Sequence, residues 1–316
     1  MRAVIFTEFG RPEVLRLVDL PVPPPPGDGE VLVDIVASTV NPTDGLMRCG
    51  QQADLMVDLP PPWIGGMEFS GRIAAAGRDS RFAVGTPVIG VVNPRTRSGG
   101  AYAARIVVPA ASVAALAPGT DLIGAATVPM NALTALLALE MLGLEPGAAL
   151  LVTGGAGMVG GSVIALAHAA GLEVLANAAP GDAALLRGLG GDVILPRSVG
   201  LAEALRAIFP GGVDGLIDGA LIGQAVAPLV RDGGGAISLR RTHPISDPRL
   251  KVGYVGVTAG MKRQDLLARI AAALGAGILF PRVAPGGIFP AGRAAEAHRM
   301  AEAGGFRGRV VISFEA

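Results

Sequence analysis

Cysteine and histidine are scarce in this chain of 316 residues. The single cysteine, Cys49, excludes an intrachain disulfide and a structural zinc site of four thiolates, and such usage is typical of a reducing cytoplasm. The three histidines, His168, His243 and His298, are far apart and show no metal-ligand spacing. The sequence therefore predicts a cytoplasmic protein without a metal site.

Net charge is absent as well. Lys+Arg and Asp+Glu both number 26, so no electrostatic argument favours a nucleic acid or an anionic membrane as partner. The uncharged stretch 122–139 is long enough to suggest a membrane span, but it contains Pro129, Asn131 and Thr134, and we interpret it as a buried helix. We predict neither a membrane nor a nucleic-acid partner.

Short β-rich runs punctuated by glycine and proline fill the first third of the chain. The runs 30–39, 69–77 and 102–109 are examples, and the proline-rich connector 21–29 is incompatible with a helix. This pattern is typical of an antiparallel, barrel-like unit.

From about residue 122 the pattern changes to strands that alternate with helices. The apolar runs 149–154 and 173–178 are followed by helical segments at 158–171 and 182–190. Strands that read as continuous apolar runs belong to parallel sheets covered by helices on both faces. The predicted fold class is α/β, a doubly wound Rossmann sheet inserted into a mostly β domain, to which the last strand returns.

A glycine-rich segment follows the first strand of this region. Residues 155–160 fit the pattern G-x-G-x-x-G, and they lie between a strand and a helix. Glycine lets the backbone approach a pyrophosphate, which the helix N-terminus attracts. An ordinary turn in a chain with 47 glycines is the alternative, and the flanking strand and helix favour a dinucleotide site. The predicted contacts are Gly154, Gly155, Ala156, Gly157, Met158, Val159 and Gly160.

The end of the second strand indicates which dinucleotide is bound. An NAD site usually has an acidic residue there for the ribose hydroxyls, whereas this chain has Asn177 between two alanines. Without that acid, a 2′-phosphate meets no repulsion. Arg197 is the candidate cation for it, with a solvated surface arginine as the equal alternative. The predicted cofactor is NADPH, and NADH stays possible.

These motifs together make the chain similar to the medium-chain dehydrogenase/reductase superfamily, and within it to the zeta-crystallin-like quinone oxidoreductases. The resemblance implies a GroES-like catalytic domain of residues 1–121 and 259–316, with the Rossmann domain at 122–258. It also implies hydride transfer to an activated C=C bond or a quinone, and a homodimer formed through edge strands such as 250–260. The segments that carry it are 1–17, 29–44, 65–77, 131–139, 152–161, 186–195, 212–220 and 296–314.

Zinc-dependent relatives have a cysteine near position 41 and Gly-His-Glu near 66–68. This chain has Asn41 and Met67 there, so the resemblance implies an enzyme without zinc. Relatives also often carry a Ser and a Lys for the 2′-phosphate, and the segment 178–182 has neither. Some relatives have a tyrosine in the loop after residue 44, which is missing here too.

The resemblance also assigns residues to the site, each with a structural alternative. Asn41 is predicted to donate a hydrogen bond to the nicotinamide ribose or the substrate, or else to be a turn residue before Pro42. Asp44 orients the loop backbone, with catalysis as the minority alternative. Arg240 borders the nicotinamide or is an exposed loop charge. The further predicted cofactor contacts are Met130, Thr134, Ala220 and Leu239, and Thr134 is equally plausible as a buried hydroxyl bonded to its own helix.

Other polar residues are interpreted as structural. Tyr102 is expected to support its strand, Cys49 to be a buried or partly buried thiol, and His168 and His298 to be satisfied within the fold. His243 is a weak candidate for the proton donor. The predicted function is an NADPH-dependent, zinc-independent reductase of enones, enals, enoyl compounds or quinones. The alternative is a non-catalytic NADPH-binding protein with a crystallin-like or regulatory role.

Overall fold

The computed structural model describes residues 1–197 and 200–315. These residues form two compact units. Unit 1 contains Met1–Met130, Met261–Ala276 and the chain from Phe280 onward, and unit 2 contains Asn131–Gly260 with residues 277–279. The domain limits 121/122 and 258/259 stay a prediction from sequence.

Unit 1 is built on antiparallel strands, as the alternation of short β-rich runs and turns predicts. Strand β3 is central, because it pairs with β5, β7 and β16. The pairing with β16 confirms that the last strand returns to the first part of the chain. The sheets have the orders β2-β1-β4 and β15-β16-β3-β5-β6-β8. The strands are β1 (Arg2–Phe6), β2 (Arg16–Asp19), β3 (Glu30–Thr39), β4 (Trp63–Ile64), β5 (Glu68–Ala76), β6 (Pro87–Val91), β7 (Arg105–Pro109), β8 (Val113–Ala115), β15 (Val283–Pro290) and β16 (Arg309–Ser313).

Four helices complete unit 1: α1 (Pro42–Arg48), α2 (Leu122–Ala125), α7 (Gln264–Gly275) and α8 (Ala294–Ala303). The apolar core includes Val4, Phe6, Val33, Phe69 and Tyr102, which are almost completely buried.

Unit 2 is a six-stranded parallel sheet in the order β11-β10-β9-β12-β13-β14. The fully buried β9 explains why its sequence shows no polar alternation. Separate apolar clusters on the two faces of the sheet are centred on Leu150 and Leu151. The elements are α3 (Pro129–Leu142), β9 (Ala149–Thr153), α4 (Met158–Ala169), β10 (Glu173–Ala178), α5 (Ala183–Gly188), β11 (Val193–Pro196), α6 (Leu201–Ile208), β12 (Val213–Asp218), β13 (Val230–Ser238) and β14 (Lys251–Tyr254); the first two residues of α3 belong to unit 1.

Several local predictions need correction. The stretch 122–139, interpreted from sequence as one buried helix, lies in two helices, α2 and α3, separated by three residues. The apolar segment 225–230 also predicts a helix from its sequence, but it is the end of a 3-10 helix (Gly223–Leu229) followed by the start of β13. Within residues 1–197 and 200–315, no helix combines the length and apolar character that a bilayer crossing requires.

Candidate functional site

The glycine turn between β9 and α4 is packed too tightly for side chains at two positions. Gly154 has φ +67°, and a Cβ there would lie 2.8 Å from the Ala220 nitrogen. A Cβ on Gly160 would lie 2.4 Å from the Gly154 carbonyl oxygen. Both obstacles are backbone atoms, so no side-chain rotation relieves them. At Gly157 the corresponding distance is 3.2 Å, which a small shift could accommodate.

The sheet order places this turn where dinucleotides bind in doubly wound folds. Neighbouring strands β10 and β12 flank β9, so connections leave in opposite directions from this point. Gly157 is the N-cap of α4, whose first turn contains Met158, Val159 and Gly160. The N–H groups of a first helical turn point along the axis and attract an anion. The turn can therefore accept a phosphate group.

A buried polar pair lies beneath the turn. The Thr153 hydroxyl donates to Asp218 at 2.6 Å and accepts from the Ala220 nitrogen at 3.1 Å. The other Asp218 oxygen accepts from the Gly223 nitrogen at 2.7 Å. These bonds fix Ala220 against Gly154. Sequence reasoning missed Thr153 and Asp218, although polar residues that end apolar strands were a usable signal.

Asn177 ties the end of β10 to the glycine turn. Its side-chain oxygen accepts from the Gly154 nitrogen at 3.0 Å, and its amide nitrogen donates to the Arg197 carbonyl at 3.3 Å. Leu195 pairs with Asn177, so the exposed Arg197 follows β11 at the same edge of the sheet. Asn177 therefore contacts the turn directly, and Arg197 contacts Asn177 through its main chain.

Leu239 and Arg240 directly follow β13, and both are half-buried. The Ser238 hydroxyl lies 2.9 Å from the Arg240 carbonyl and accepts from the Arg240 nitrogen at 3.3 Å, which fixes this bend. Arg241 is exposed, with its guanidinium 5.1 Å from the centre of the Tyr254 ring. Thr134 lies half-buried on α3.

In unit 1, a carboxylate organises a second polar cluster. Glu68 is fully buried and accepts hydrogen bonds from the Thr39 hydroxyl, from the Asn41 amide nitrogen at 2.9 Å and from the Met130 nitrogen at 2.8 Å. Two predicted site residues, Asn41 and Met130, therefore meet on one side chain. The role of Glu68 was not predicted from sequence.

The loop before α1 is a helix cap. Asn41 is the N-cap, Pro42 occupies the first turn, and the Asp44 carboxylate accepts from the Asn41 nitrogen at 2.8 Å. Its other oxygen accepts from the Gly66 nitrogen at 3.0 Å. Because both Asp44 oxygens bind backbone donors, the geometry favours the backbone-orienting role for Asp44.

Asn41 presents an acceptor rather than a donor. Its amide nitrogen is already directed at Glu68 and at the Thr39 hydroxyl, while its Oδ1 is buried and has no partner among residues 1–197 and 200–315. A ligand group that bonds to this side chain must therefore be a donor, such as a hydroxyl or an amide N–H.

Burial shifts the pKa of three groups nearby. Burial, opposed by two backbone hydrogen bonds, raises the pKa of Asp44 to about 7. Burial also raises the pKa of Tyr102 and lowers that of His298 to about 3. Tyr102 and His298 are both 1% exposed, and their hydroxyl and Nε2 atoms are 3.1 Å apart.

A cavity of about 660 Å³ lies in unit 1, lined mostly by apolar atoms, with Asn41, Arg48, Cys49, His298 and Arg309 contributing polar groups. The prediction that Cys49 is a buried or partly buried thiol is wrong, because the residue is exposed where α1 ends. His298 differs from its prediction too, since its Nδ1 has no partner within the described parts of the chain. The half-buried Arg309 was not predicted as a cavity residue.

The zinc sites of the zinc-dependent relatives have no counterpart among the side chains of residues 1–197 and 200–315. Asn41 and Met67 stand at two of the ligand positions, and no group of three or more His, Cys, Asp or Glu residues with metal-binding geometry occurs in residues 1–197 and 200–315.

Two family models match the chain. The alcohol dehydrogenase GroES-like domain matches residues 27–118, and the zinc-binding dehydrogenase model matches residues 189–312. A crystal structure of an alcohol dehydrogenase superfamily protein from Novosphingobium aromaticivorans is similar over 100% of both chains, with a TM-score of 0.88 and 25% identity.

Curated relatives span nearly the whole chain. The 2-methylene-furan-3-one reductase of Solanum lycopersicum is 29% identical over 99% of this chain and 79% of its own length. The chloroplastic NADPH-dependent alkenal/one oxidoreductase of Arabidopsis thaliana is 28% identical with the same coverage. The quinone oxidoreductase of Sus scrofa is 28% identical over 99% of this chain and 97% of its own length.

Proposed function

Because this chain belongs to the medium-chain dehydrogenase/reductase superfamily, we propose that it is an NADPH-dependent, zinc-independent reductase of activated C=C bonds or quinones. The observation that carries the proposal is the turn at Gly154 and Gly160, where added Cβ atoms would collide with backbone. A bound nicotinamide cofactor supplies the hydride. An enone or quinone needs no Lewis acid, since its own carbonyl accepts the developing charge.

The residues of unit 2 fit the phosphate groups of the cofactor. The bare backbone of the turn and the first turn of α4 receive the pyrophosphate. Arg197 takes the 2′-phosphate, since β10 ends in Asn177 and Ala178 and carries no acid there. The name of one relative, the NADPH-dependent alkenal/one oxidoreductase of Arabidopsis thaliana, supports the same choice of cofactor.

Residues of unit 1 fit the polar groups of the nicotinamide ribose or of the substrate. The buried Asn41 Oδ1 accepts a hydrogen bond from a hydroxyl or carboxamide of the ligand. Glu68 holds the Asn41 amide in the orientation that leaves this oxygen for the ligand. In unit 2, the half-buried Arg240 is proposed to face an anionic group of the cofactor or the substrate.

Binding and turnover test this proposal together. NADPH and NADH affinities should be measured by calorimetry, and NADPH oxidation should be followed with crotonaldehyde, methyl vinyl ketone and menadione. We expect oxidation with at least one of the three. Tight NADPH binding without oxidation of any would refute the reductase and support the non-catalytic alternative.

Two substituted proteins sharpen the binding test. Gly160→Ala should weaken NADPH binding about 10- to 100-fold, since backbone strain of ~1–3 kcal/mol corresponds to such factors. Gly188→Ala, in α5, adds a Cβ that meets nothing within 4 Å and should bind like the wild type. Equal affinities of both variants would remove the turn from the site.

Cofactor choice is tested at Arg197. Arg197→Glu should raise the Kd for NADPH about tenfold or more, because a charge-assisted hydrogen bond contributes ~1.5–3 kcal/mol, and should leave NADH binding nearly unchanged. Arg206→Glu, an exposed arginine on α6, is the control. If the first variant binds both cofactors like the wild type, Arg197 is a solvated surface charge.

We also propose a cytoplasmic homodimer in which β14 pairs with β14 of a second copy. This strand is an edge of the parallel sheet, and Val252 and Tyr254 on it are 46% and 38% exposed. Val252→Lys should give a monomer in light scattering. Ile208→Lys, at an exposed apolar position of α6, should stay dimeric. A monomeric wild type would refute the assembly.

A further inference from the structure

The cavity of unit 1 is surrounded by residues whose polar atoms the fold leaves without partners. Asn41, Arg48 and His298 all line it, although they are only 2%, 3% and 1% exposed. Asn41 Oδ1, Arg48 Nε and His298 Nδ1 have no hydrogen-bond partner in the part of the chain that the structure describes. Buried polar atoms are normally hydrogen-bonded, and leaving one without a partner costs free energy. Three such residues around one cavity therefore indicate a ligand that supplies the missing hydrogen bonds.

Arg48 indicates which ligand atom fits. Its terminal nitrogens donate to the Gly10 carbonyl and to the Glu302 carboxylate, and these two bonds hold the guanidinium in place. The Nε atom of an arginine side chain always carries a proton and can only donate. An uncharged acceptor such as a carbonyl oxygen satisfies it, because Glu302 already balances the charge of Arg48.

The remaining wall of the cavity fits an apolar molecule. Its volume of about 660 Å³ lies within the range of small-molecule sites, and most of its lining is apolar. A ligand with a carbonyl group on a hydrocarbon body therefore suits both the apolar wall and the donor at Arg48. The apolar lining residues include Pro12, Val40, Leu46, Ala301, Phe306 and Val310.

A nucleophile stands at the same cavity. Cys49 follows Arg48 in sequence, is the C-cap of α1 and lines the cavity, and the residue is exposed. Its Sγ lies 3.6 Å from the Leu46 carbonyl oxygen, which is a weak contact that leaves the sulfur available. Cysteine is intrinsically very nucleophilic. A bound carbonyl compound with a conjugated C=C bond would therefore place an electrophilic carbon beside a thiol.

We infer that this cavity binds apolar α,β-unsaturated carbonyl compounds and that the bound compound alkylates Cys49. The sulfur attacks the β-carbon and forms the S–C bond, while the electron pair of the C=C bond moves to the carbonyl oxygen as an enolate. The thiol proton leaves to water, and the α-carbon takes a proton from water, so the step needs no oxidant or reductant. The inference rests on the proposed function only in that the same class of compound is the substrate of the reductase, which such a compound would modify when NADPH is lacking.

Alkylation can be measured on the protein without cofactor, by intact mass spectrometry after incubation with 1-octen-3-one. Peptide mapping should place a single adduct of the mass of the enone on Cys49, and Cys49→Ser should not form it. Because the compound binds before it reacts, the rate should saturate as its concentration rises. The saturated ketone 3-octanone, at about ten times its Kd, should slow the reaction about tenfold by occupying the cavity. Acetone at the same concentration has the carbonyl without the apolar chain and should not protect.

Two alanines of α8 provide a matched pair of variants. Ala301 lines the cavity, whereas Ala303 is exposed and lies outside the lining. Ala301→Phe should lower the rate of alkylation by 1-octen-3-one about tenfold or more, because extra volume in an apolar pocket excludes the ligand. Ala303→Phe should react like the wild type. Iodoacetamide, which reports the reactivity of the thiol itself, should modify Cys49 at the same rate in all three proteins.

A rate that rises linearly with 1-octen-3-one and is not slowed by 3-octanone would overturn the inference, since Cys49 would then react like any exposed thiol and the cavity would hold only water. An adduct that maps to another residue would overturn it too. The competition uses the wild type alone and decides the question even if Ala301→Phe does not fold. None of these measurements requires turnover, so failure of the reductase proposal would leave the saturation and the protection in place, and failure of the inference would leave NADPH oxidation in place.

Discussion

His298→Gln should change how the stability of this protein depends on pH. Burial lowers the pKa of His298 to about 3, against an ordinary value of 6.5. Between these values the unfolded chain binds more protons at this residue than the folded one. The contribution of the neutral His298 to the stability of the folded state is therefore complete above pH 6.5 and is lost as the pH falls towards 3.

The size of this loss of stability follows from how far the pH lies below 6.5, the ordinary pKa of histidine. From pH 6.5 to 5.0 the wild type loses about 2 kcal/mol at His298, since one pH unit corresponds to ~1.4 kcal/mol. Glutamine does not titrate, yet it can keep the bond to Tyr102. The wild-type free energy of unfolding, relative to that of His298→Gln, should therefore fall by about 2 kcal/mol between pH 7.5 and 5.0.

Urea unfolding followed by circular dichroism at several pH values measures this difference. Comparing the two proteins at each pH removes the contributions of all other titrating groups. His243→Gln, at an exposed histidine, is the control and should show no such change. A wild-type minus His298→Gln difference that stays constant within about 0.5 kcal/mol, the usual error of additivity, would refute the buried, neutral state of His298.

The same data report on Asp44, whose pKa is raised to about 7 by burial. Below pH 7 the folded state binds more protons at Asp44 than the unfolded chain, so this contribution is largest below pH 3.8 and is lost as the pH rises to 7. Asp44 and His298 therefore oppose each other in the wild type. In the His298→Gln protein, Asp44 still titrates and residue 298 does not. The free energy of unfolding of this variant should therefore rise relative to that of the wild type on acidification.

Three further outcomes are expected. Gly154→Ala should lower stability by ~1–3 kcal/mol in thermal unfolding, because of its positive φ and backbone contacts, whereas Gly157→Ala should stay within about 0.5 kcal/mol of the wild type; equal losses would contradict the packing described. Glu68→Gln should cost ~1–3 kcal/mol in urea unfolding, because an acceptor of three buried donors is replaced; no loss would argue against those bonds. Protein dialysed after incubation with zinc should retain less than stoichiometric metal by mass spectrometry, since Asn41 and Met67 replace ligands; full retention would revive a zinc enzyme.

The parallel sheet could be predicted because its information is local. Buried strands such as β9 are continuous apolar runs, and the glycine turn lies between a strand and a helix in the sequence itself. The helix α1 was equally local and was still missed. Asn41, Pro42 and Asp44 have the spacing of an N-cap, a first-turn proline and an acidic third residue, which is the signature of a helix start.

The polar networks could not be predicted in the same way, because their members are distant in sequence. Tyr102 and His298 are separated by 196 positions, and Thr153 and Asp218 by 65. Only the pairing of strands brings such residues together, and neither side chain of a pair carries a local signal for the other. The donor role predicted for Asn41 had the same problem, since Glu68, which occupies its amide nitrogen, is 27 positions away.

The two hydrogen bonds of the Asn177 side chain have a practical consequence for engineering cofactor choice. The usual exchange towards NADH puts an acid at the end of the second strand, which here means Asn177→Asp. The new carboxylate keeps an acceptor for the Gly154 nitrogen but faces the Arg197 carbonyl with no proton to donate, so two oxygens repel where one bond existed. Redesign of the adenosine end of the site therefore has to begin with the backbone at Arg197. Otherwise the glycine turn that receives the pyrophosphate will lose its geometry together with the preference for NADPH.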